Sequence, residues 1–105
     1  MNDQAALAEA VRRLVAALHP EKIYLFGSQA RDEGGYDSDY DIMVIVRRSP
    51  KPRYERAQAA YRALVGVGIP LDVLVFTRTE FDSELSVVAS LPATIAREGR
   101  LLYAA

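Results

Sequence analysis

Two short apolar runs, separated by a polar stretch rich in glycine and aspartate, constrain the fold of this chain most. Residues 23–26 lead directly into Gly27 and Ser28, and residues 42–46 follow directly after Asp39 and Asp41. Short apolar runs bounded by such residues predict strands. Because alternate side chains of a strand share a face, we expect Asp39 and Asp41 to point the same way. Two such carboxylates repel each other unless a cation or a proton lies between them.

The residues that end the first run favour contact with phosphate. Gly27 lets the backbone approach a ligand without a Cβ, and Ser28 offers an amide and a hydroxyl at the start of the following turn. Arg31 has two open interpretations: its planar guanidinium can contact a triphosphate, or it can pair with a nearby acid such as Asp32 or Glu33. Phosphate next to a divalent cation is therefore the first chemistry that the sequence indicates.

A third acidic residue interrupts the strand predicted for residues 71–77. This strand would place Leu71, Val73 and Val75 on one face and Asp72, Leu74 and Phe76 on the other. Burial of a lone carboxylate is costly, so we expect Asp72 to face a cleft or a cation. Asp39, Asp41 and Asp72 together would suit Mg²⁺, which prefers oxygen ligands. The alternative is that the first two only solvate a hairpin and that Asp72 caps a turn.

The remaining pattern predicts helices between these strands. A first helix, capped by Asn2 or Asp3, would end at Pro20, and a second would bury Tyr54, Ala57, Tyr61, Leu64 and Val65. The shorter predicted elements are a turn helix at 28–31, a helix at 79–86, a helix between the Ser90 cap and Gly99, and an edge strand at 100–103. The order predicts an α/β or α+β fold: a small mixed β-sheet with helices packed mainly on one face, and the other face available for substrate.

Composition limits the classes of protein. The 105 residues predict one domain, 1–105, with little chain left for a separate acceptor-binding domain. The absence of cysteine excludes thiolate metal sites, and His19, at a predicted helix end, is expected to be structural. The N-terminus lacks the positive charge of a signal peptide and no apolar run reaches membrane-spanning length, so we expect a soluble, cytoplasmic protein that does not contact membranes.

Basic residues are concentrated in one segment. Six of the thirteen lysines and arginines lie within residues 47–62, although the whole chain has a formal net charge of only -1. Such a run is usually a solvated face, and it can also dock an acidic partner or an RNA backbone. The two tyrosines of this segment are expected in the core rather than stacked on bases.

The spacing of the first motif resembles a known signature. Gly27-Ser28, ten intervening residues and Asp39-Tyr40-Asp41 resemble the GSx10DxD signature of the minimal nucleotidyltransferases, small members of the DNA polymerase β-like superfamily. The resemblance continues through residues 28–31, Ser38, the strand of Asp72 and residues 97–103. There are two departures: Asp32 stands where family members often have glycine, and Tyr40 replaces an aliphatic residue.

The resemblance implies a polymerase β-like fold and a role for each motif residue. Gly27 and Ser28 would be the nucleotide-binding pair, helped by Arg31. Asp39 and Asp41 would be the catalytic metal ligands, and Asp72 would complete one metal site and help to deprotonate the acceptor hydroxyl. The implied cofactor is Mg²⁺, as two ions, and the implied substrate is ATP.

The resemblance also implies a partner. Many such proteins are similar to the antitoxin of a toxin–antitoxin pair whose toxin is a HEPN-domain ribonuclease, and the antitoxin transfers AMP from ATP to a tyrosine of that toxin. We therefore expect an adenylyltransferase that acts on a HEPN partner. Two alternatives remain: a binding module that neutralises the ribonuclease by occlusion without catalysis, and a nucleotidyltransferase that modifies RNA through its basic segment.

Overall fold

In the computed structural model of the chain, residues 3–33 and 39–105 are described. Asn2, one of the two predicted caps of the first helix, and Ser38 lie outside these residues. The elements in chain order are α1 (Asp3–Leu18), β1 (Lys22–Phe26), α2 (Gly27–Ala30), β2 (Tyr40–Val46), α3 (Arg53–Ala63), β3 (Leu71–Thr77), α4 (Arg78–Ser83), α5 (Leu91–Glu98) and β4 (Arg100–Ala104). Each predicted strand is confirmed, although Asp39 lies immediately before β2 rather than within it.

The four strands form one mixed sheet in the order β3-β2-β1-β4. β1 pairs antiparallel with both β2 and β4, whereas β2 and β3 run parallel. Because β2 and β3 run in the same direction, their first residues lie at the same edge of the sheet. The register places Asp41 directly beside Asp72 on one side and opposite Phe26 on the other. The sheet therefore joins residues that are far apart in the sequence.

Both faces of the sheet are covered, but to different extents. The long helices α1 and α3 pack on one face, over a core that includes Leu14, Ile23, Leu25, Ile42, Val44, Val73 and Val75. The other face carries a smaller cluster beneath the short helices α4 and α5, formed by Met43, Ile45, Phe76, Phe81 and Ile95. This agrees with the predicted mixed sheet whose helices lie mainly on one face. Part of the second face is nevertheless covered, because Phe81 and Ile95 anchor the short helices there.

The buried side of α3 and of the residues after it agrees with the prediction at Leu64, which lies in the core, and differs from it at three other residues. Tyr54 is 65% exposed, Tyr61 42% and Val65 75%, whereas Arg56 is only 7% exposed. The guanidinium of Arg56 can be buried because it donates hydrogen bonds to the backbone oxygens of Lys51 and Val75 and to both carboxylate oxygens of Glu80. Apolar periodicity could not identify this face, since the groups that compensate Arg56 are distant in the sequence.

The C-terminal helices begin at the capping residues that their sequences supply. Thr77 and Glu80 form a reciprocal capping box at the start of α4, so this helix begins at Arg78 and ends at Ser83, before the predicted residue 86. The Ser90 side chain accepts a hydrogen bond from the amide of Ala93, which confirms it as the cap of α5. Among the described residues, no helix has both the length and the apolar character needed to cross a membrane.

Candidate active site

Two of the three predicted acids lie side by side at the edge of the sheet where β2 and β3 begin. Asp41 and Asp72 are paired in the parallel register, and adjacent strands are about 4.8 Å apart. Asp41 shares a face with Met43, and Asp72 shares it with Leu74, both of which pack on the side of the sheet that α4 and α5 partly cover. The two carboxylates therefore emerge on that side, beyond its apolar cluster.

The electrostatic environment of Asp41 differs from that of an ordinary surface acid. Burial raises the pKa of its carboxyl, and the negative charges of Asp72 and then Asp39 raise it further. The charge of Asp39 thus acts on Asp41 from the residue just before the strand. Removal of this repulsion by a cation would favour the ionised form of Asp41.

Gly27 leaves the space that the Asp41 carboxylate occupies. A Cβ placed on Gly27 would overlap Oδ2 of Asp41 and would lie 3.2 Å from its Cγ. The backbone φ of Gly27 is +73°, a left-handed conformation that side chains rarely adopt. The glycine of the predicted phosphate-binding pair therefore also lies against the first acid of β2.

The turn after β1 places Ser28 at the start of a helical turn. The residue that caps α2, Phe26, provides no side-chain acceptor for its amides. The backbone oxygen of Ser28 accepts hydrogen bonds from the amides of Arg31 and Glu33, which close the turn. Asp32 has a φ of +56°, so its backbone is also left-handed. Aspartate tolerates this conformation better than most residues.

Arg31 takes part in ion pairs rather than extending freely into the site. Its Nε lies 2.6 Å from Oε1 of Glu33, and one terminal nitrogen lies 3.9 Å from Oε1 of Glu98. The hydrogen bond to Glu33 raises the pKa of the guanidinium. The side chain is 43% exposed, so contact with a nucleotide would require it to exchange or share these partners. Its role in nucleotide binding stays a prediction.

Tyr61 contacts the site, and sequence reasoning missed this contact. Its hydroxyl accepts a hydrogen bond from the amide of Val73 at 2.8 Å and donates one to Oδ1 of Asp72 at 3.3 Å. The apolar pattern of α3 had placed this tyrosine in the core. No signal in the sequence could identify the contact, because it depends on how α3 crosses the outer strand.

Tyr40, between the two aspartates of the motif, is accommodated by packing and by one hydrogen bond. The Tyr40 ring packs against the larger core, and its hydroxyl donates a 3.0 Å hydrogen bond to Oδ2 of Asp3. Burial and the hydrogen bond to Asp3 both raise the pKa of this phenol. The tyrosine thus joins the start of β2 to the start of α1, and alternation along the strand places Asp41 on the opposite face.

The donor chemistry of the site suits a hard cation. The predicted ligands are carboxylates, and Mg²⁺ prefers oxygen donors. Within residues 3–33 and 39–105, however, no three His, Cys, Asp or Glu side chains are grouped closely enough to hold a metal ion. The structure thus places Asp41 and Asp72 next to each other and brings Asp39 within electrostatic range of Asp41. We treat metal binding by these three residues as a proposal.

Comparisons with known proteins agree with this geometry. A family model described as a nucleotidyltransferase domain matches residues 5–102. A proposed nucleotidyltransferase from Sulfolobus solfataricus has a similar fold, with 20% identity, a TM-score of 0.57 and coverage of 98% of this chain and 90% of that one. A toxin–antitoxin complex solved with AMP-PNP contains a chain with 23% identity and a TM-score of 0.61, over 93% of this chain and 73% of that one.

A search of curated proteins found no significant match. The two solved structures share too little sequence to show more than a common fold. The family match has a different weight, because it covers almost the whole chain, including Asp39, Asp41 and the glycine that lies against Asp41. The chain therefore belongs to the nucleotidyltransferase domain family and is a transferase enzyme.

Proposed function

We propose that the protein is a Mg²⁺-dependent adenylyltransferase that transfers AMP from ATP to a tyrosine hydroxyl of a HEPN-domain toxin and so acts as its antitoxin. The observation that carries this proposal is the in-register pairing of Asp41 with Asp72, beside a glycine that cannot carry a side chain without displacing Asp41. Two adjacent carboxylates next to a sharp, glycine-containing turn are an arrangement suited to a metal-bound triphosphate.

Each residue has a distinct part in the proposed reaction. The amides of Gly27 and Ser28 would donate hydrogen bonds to the triphosphate, and Asp39, Asp41 and Asp72 would hold Mg²⁺. When bound, Mg²⁺ would neutralise phosphate charge and acidify the acceptor hydroxyl. The acceptor oxygen would form a bond to the α-phosphorus while the bond to the pyrophosphate breaks, and Asp72 would receive the acceptor proton. The contribution of the protein is positioning and charge neutralisation.

One comparison and one structural observation support the choice of nucleotide and partner. The toxin–antitoxin complex that shares this fold was solved with AMP-PNP, an analogue of ATP. A protein acceptor also agrees with the exposure of Asp72, since a tyrosine on another chain can reach a carboxylate that the enzyme leaves accessible. The first support is a similarity of fold and the second is the exposure of Asp72. The experiment below identifies the acceptor.

RNA is a second candidate acceptor, and one observation favours it. Tyr54 was expected in the core but is 65% exposed, and it lies in the segment that carries the basic residues Arg48, Lys51 and Arg53. An exposed aromatic ring among cations is a common feature of surfaces that bind single-stranded nucleic acid. This surface would guide RNA rather than a toxin to the same carboxylates.

Transfer of a radioactive label from α-³²P-ATP tests the proposal. The purified protein is incubated with labelled ATP, Mg²⁺ and either the product of the neighbouring gene, which the proposal expects to be a HEPN protein, or total tRNA. We expect covalent label on a tyrosine of the HEPN protein, loss of ribonuclease activity, and no label when Asp41→Asn replaces the wild type. Asp82→Asn is the matched control, because Asp82 is an exposed acid on α4 away from the site.

The other outcomes separate the alternatives. Label on tRNA alone would move the acceptor to RNA. Neutralisation of the ribonuclease that survives Asp41→Asn and Asp39→Asn, without any label, would contradict the enzymatic proposal and support occlusion.

A further inference from the structure

We infer that Tyr61 is a positioning residue that holds the Asp72 carboxylate in place for metal binding and proton transfer. The inference rests on the proposed function and extends it to a residue outside the family motif. The Tyr61 hydroxyl lies between two groups of β3: it accepts from the amide of Val73 at 2.8 Å and donates to Oδ1 of Asp72 at 3.3 Å. One phenol therefore links α3, the backbone of β3 and the carboxylate.

The geometry of the sheet explains why this link is needed at Asp72. β3 is the outer strand, next to β2 only, so the amide of Val73 points away from the sheet and toward α3. Asp41, in contrast, lies on an inner strand, with Phe26 of β1 opposite it and Gly27 against its carboxylate. Asp72 is exposed, and within residues 3–33 and 39–105 no strand pairs with β3 on its outer side.

The first hydrogen bond of the Tyr61 hydroxyl orients the second. The amide of Val73 donates to the phenol oxygen and fixes its position, so the phenol proton is left to point toward an acceptor, and Asp72 provides it. The aromatic ring has few rotatable bonds, so it loses little conformational entropy when it holds this position. Ligands held by such outer contacts bind metal more tightly, and loss of the contact typically costs 10- to 100-fold in metal affinity or activity.

Tyr61→Phe tests the inference, because it removes the hydroxyl and keeps the ring. Tyr103→Phe is the matched control: Tyr103 lies on β4, at the opposite edge of the sheet from β3. Two quantities are measured for each variant: the kcat and KM for nucleotidyl transfer, and the affinity for Mn²⁺ by electron paramagnetic resonance. We expect Tyr61→Phe to lower kcat about 10-fold and Mn²⁺ affinity several-fold, with the KM for ATP within about twofold of the wild type. Tyr103→Phe should change neither quantity.

A double-variant comparison distinguishes positioning from a general structural effect. If Tyr61 acts through Asp72, the variant that carries both Tyr61→Phe and Asp72→Asn should have the same residual rate and Mn²⁺ affinity as Asp72→Asn alone. Independent losses that multiply would overturn the inference. So would a Tyr61→Phe protein with wild-type rate and Mn²⁺ affinity.

Two further outcomes would overturn the inference in different ways. Mass spectrometry that finds AMP on Tyr61 itself after incubation with ATP would make this tyrosine an acceptor rather than a positioning residue. A wild-type protein that binds Mn²⁺ less than Asp41→Asn does, and transfers no nucleotide, would contradict the proposed function and the inference together. If the wild type is active and Tyr61→Phe does not show the expected losses, the inference is overturned and the proposed function is not.

Discussion

Gly27 and the carboxylate of Asp41 lie against each other, and the position of this carboxylate requires that residue 27 has no side chain. The carboxylate of Asp41 extends into the volume that a side chain at position 27 would need, and the raised pKa of Asp41 reflects burial together with the charges of Asp72 and Asp39. Burial and these neighbouring charges therefore disfavour the ionised form of Asp41. Two predictions follow from the chemistry of these two residues.

Asp41→Asn should stabilise the metal-free protein. Folding raises the pKa of this carboxyl above its ordinary value near 4. Between the two pKa values the folded state binds more protons than the unfolded state, so the protein loses stability as pH rises through that range. At pH 7 the substitution should therefore raise Tm, by roughly 1 to 4 °C, in thermal unfolding followed by circular dichroism. Addition of Mg²⁺ should raise Tm of the wild type and leave that of Asp41→Asn unchanged. A lower Tm for the variant without metal would contradict the electrostatic reasoning.

Gly27→Ala should disrupt the site more than its backbone strain explains. Gly66→Ala is the matched control, since Gly66 has a φ of +85° but no heavy atom within 4 Å of a Cβ placed there. Both substitutions should cost about 1 to 2 kcal/mol of unfolding free energy in urea titrations, from the left-handed conformation alone. Gly27→Ala should in addition abolish nucleotidyl transfer, because the methyl group displaces Asp41, whereas Gly66→Ala should keep it. Equal activity of the two variants would refute this account of Gly27.

At the scale of elements, side chains of α3 occupy the outer edge of β3. Tyr61 accepts from the amide of Val73, and Arg56 donates to the backbone oxygen of Val75 at 2.8 Å. Arg56 also joins β3 to α4 through Glu80, and the guanidinium of Arg53 lies 3.8 Å from the centre of the Phe76 ring. An unpaired edge invites association with other strands, so these contacts protect β3 as well as anchor α3.

Glu80→Gln should lower stability at neutral pH and not in acid. The hydrogen bonds from Arg56 lower the pKa of Glu80 to about 2. A lowered carboxyl pKa stabilises the fold fully above the unfolded value near 4.3, and this stability is lost as pH falls toward 2. Urea titrations should show a deficit of roughly 1 to 3 kcal/mol at pH 7 that shrinks below pH 4. Glu84→Gln, at an exposed position after the same helix, should show little change. A deficit that is constant with pH would exclude this explanation.

For the whole molecule, the two faces of the sheet separate stability from access. In the larger core, α1 and α3 pack against buried side chains of β1, β2 and β3. The smaller cluster beneath α4 and α5 covers part of the face on which the carboxylates emerge and ends before them. The apolar part of the second face thus packs next to the site, and the uncovered part leaves the carboxylates accessible.

Ile95→Ala should loosen the second face without removing the first core. Ile95 is fully buried, so its truncation should lower the unfolding free energy by about 2 to 5 kcal/mol. Hydrogen exchange should show the larger loss of protection in α5 and α4, and a smaller one in α1. Val88→Ala, at a position that is 77% exposed, should have little effect. Equal loss of protection in α1 and α5 would show that the two clusters unfold as one unit.

The sequence by itself determined the strands, the turn helix after Gly27, the cap of α5 and the faces of β3. These features depend on local chemistry: apolar alternation, a glycine at a left-handed position and a serine that accepts from a helix amide. The spacing of glycine, serine and the two aspartates was enough to indicate the family.

Tertiary structure alone decided the rest. Leu64 is buried as predicted, whereas Tyr54, Tyr61 and Val65 are exposed. Arg56 is buried instead, because it donates hydrogen bonds to a backbone oxygen and a carboxylate on other elements. The contact of Tyr61 with Asp72 and the close approach of Asp41 to Gly27 depend on strand order and register, which bring together residues eleven to fourteen positions apart. Local patterns predict which way a side chain points on its own element, and only the packing of elements decides what it meets there.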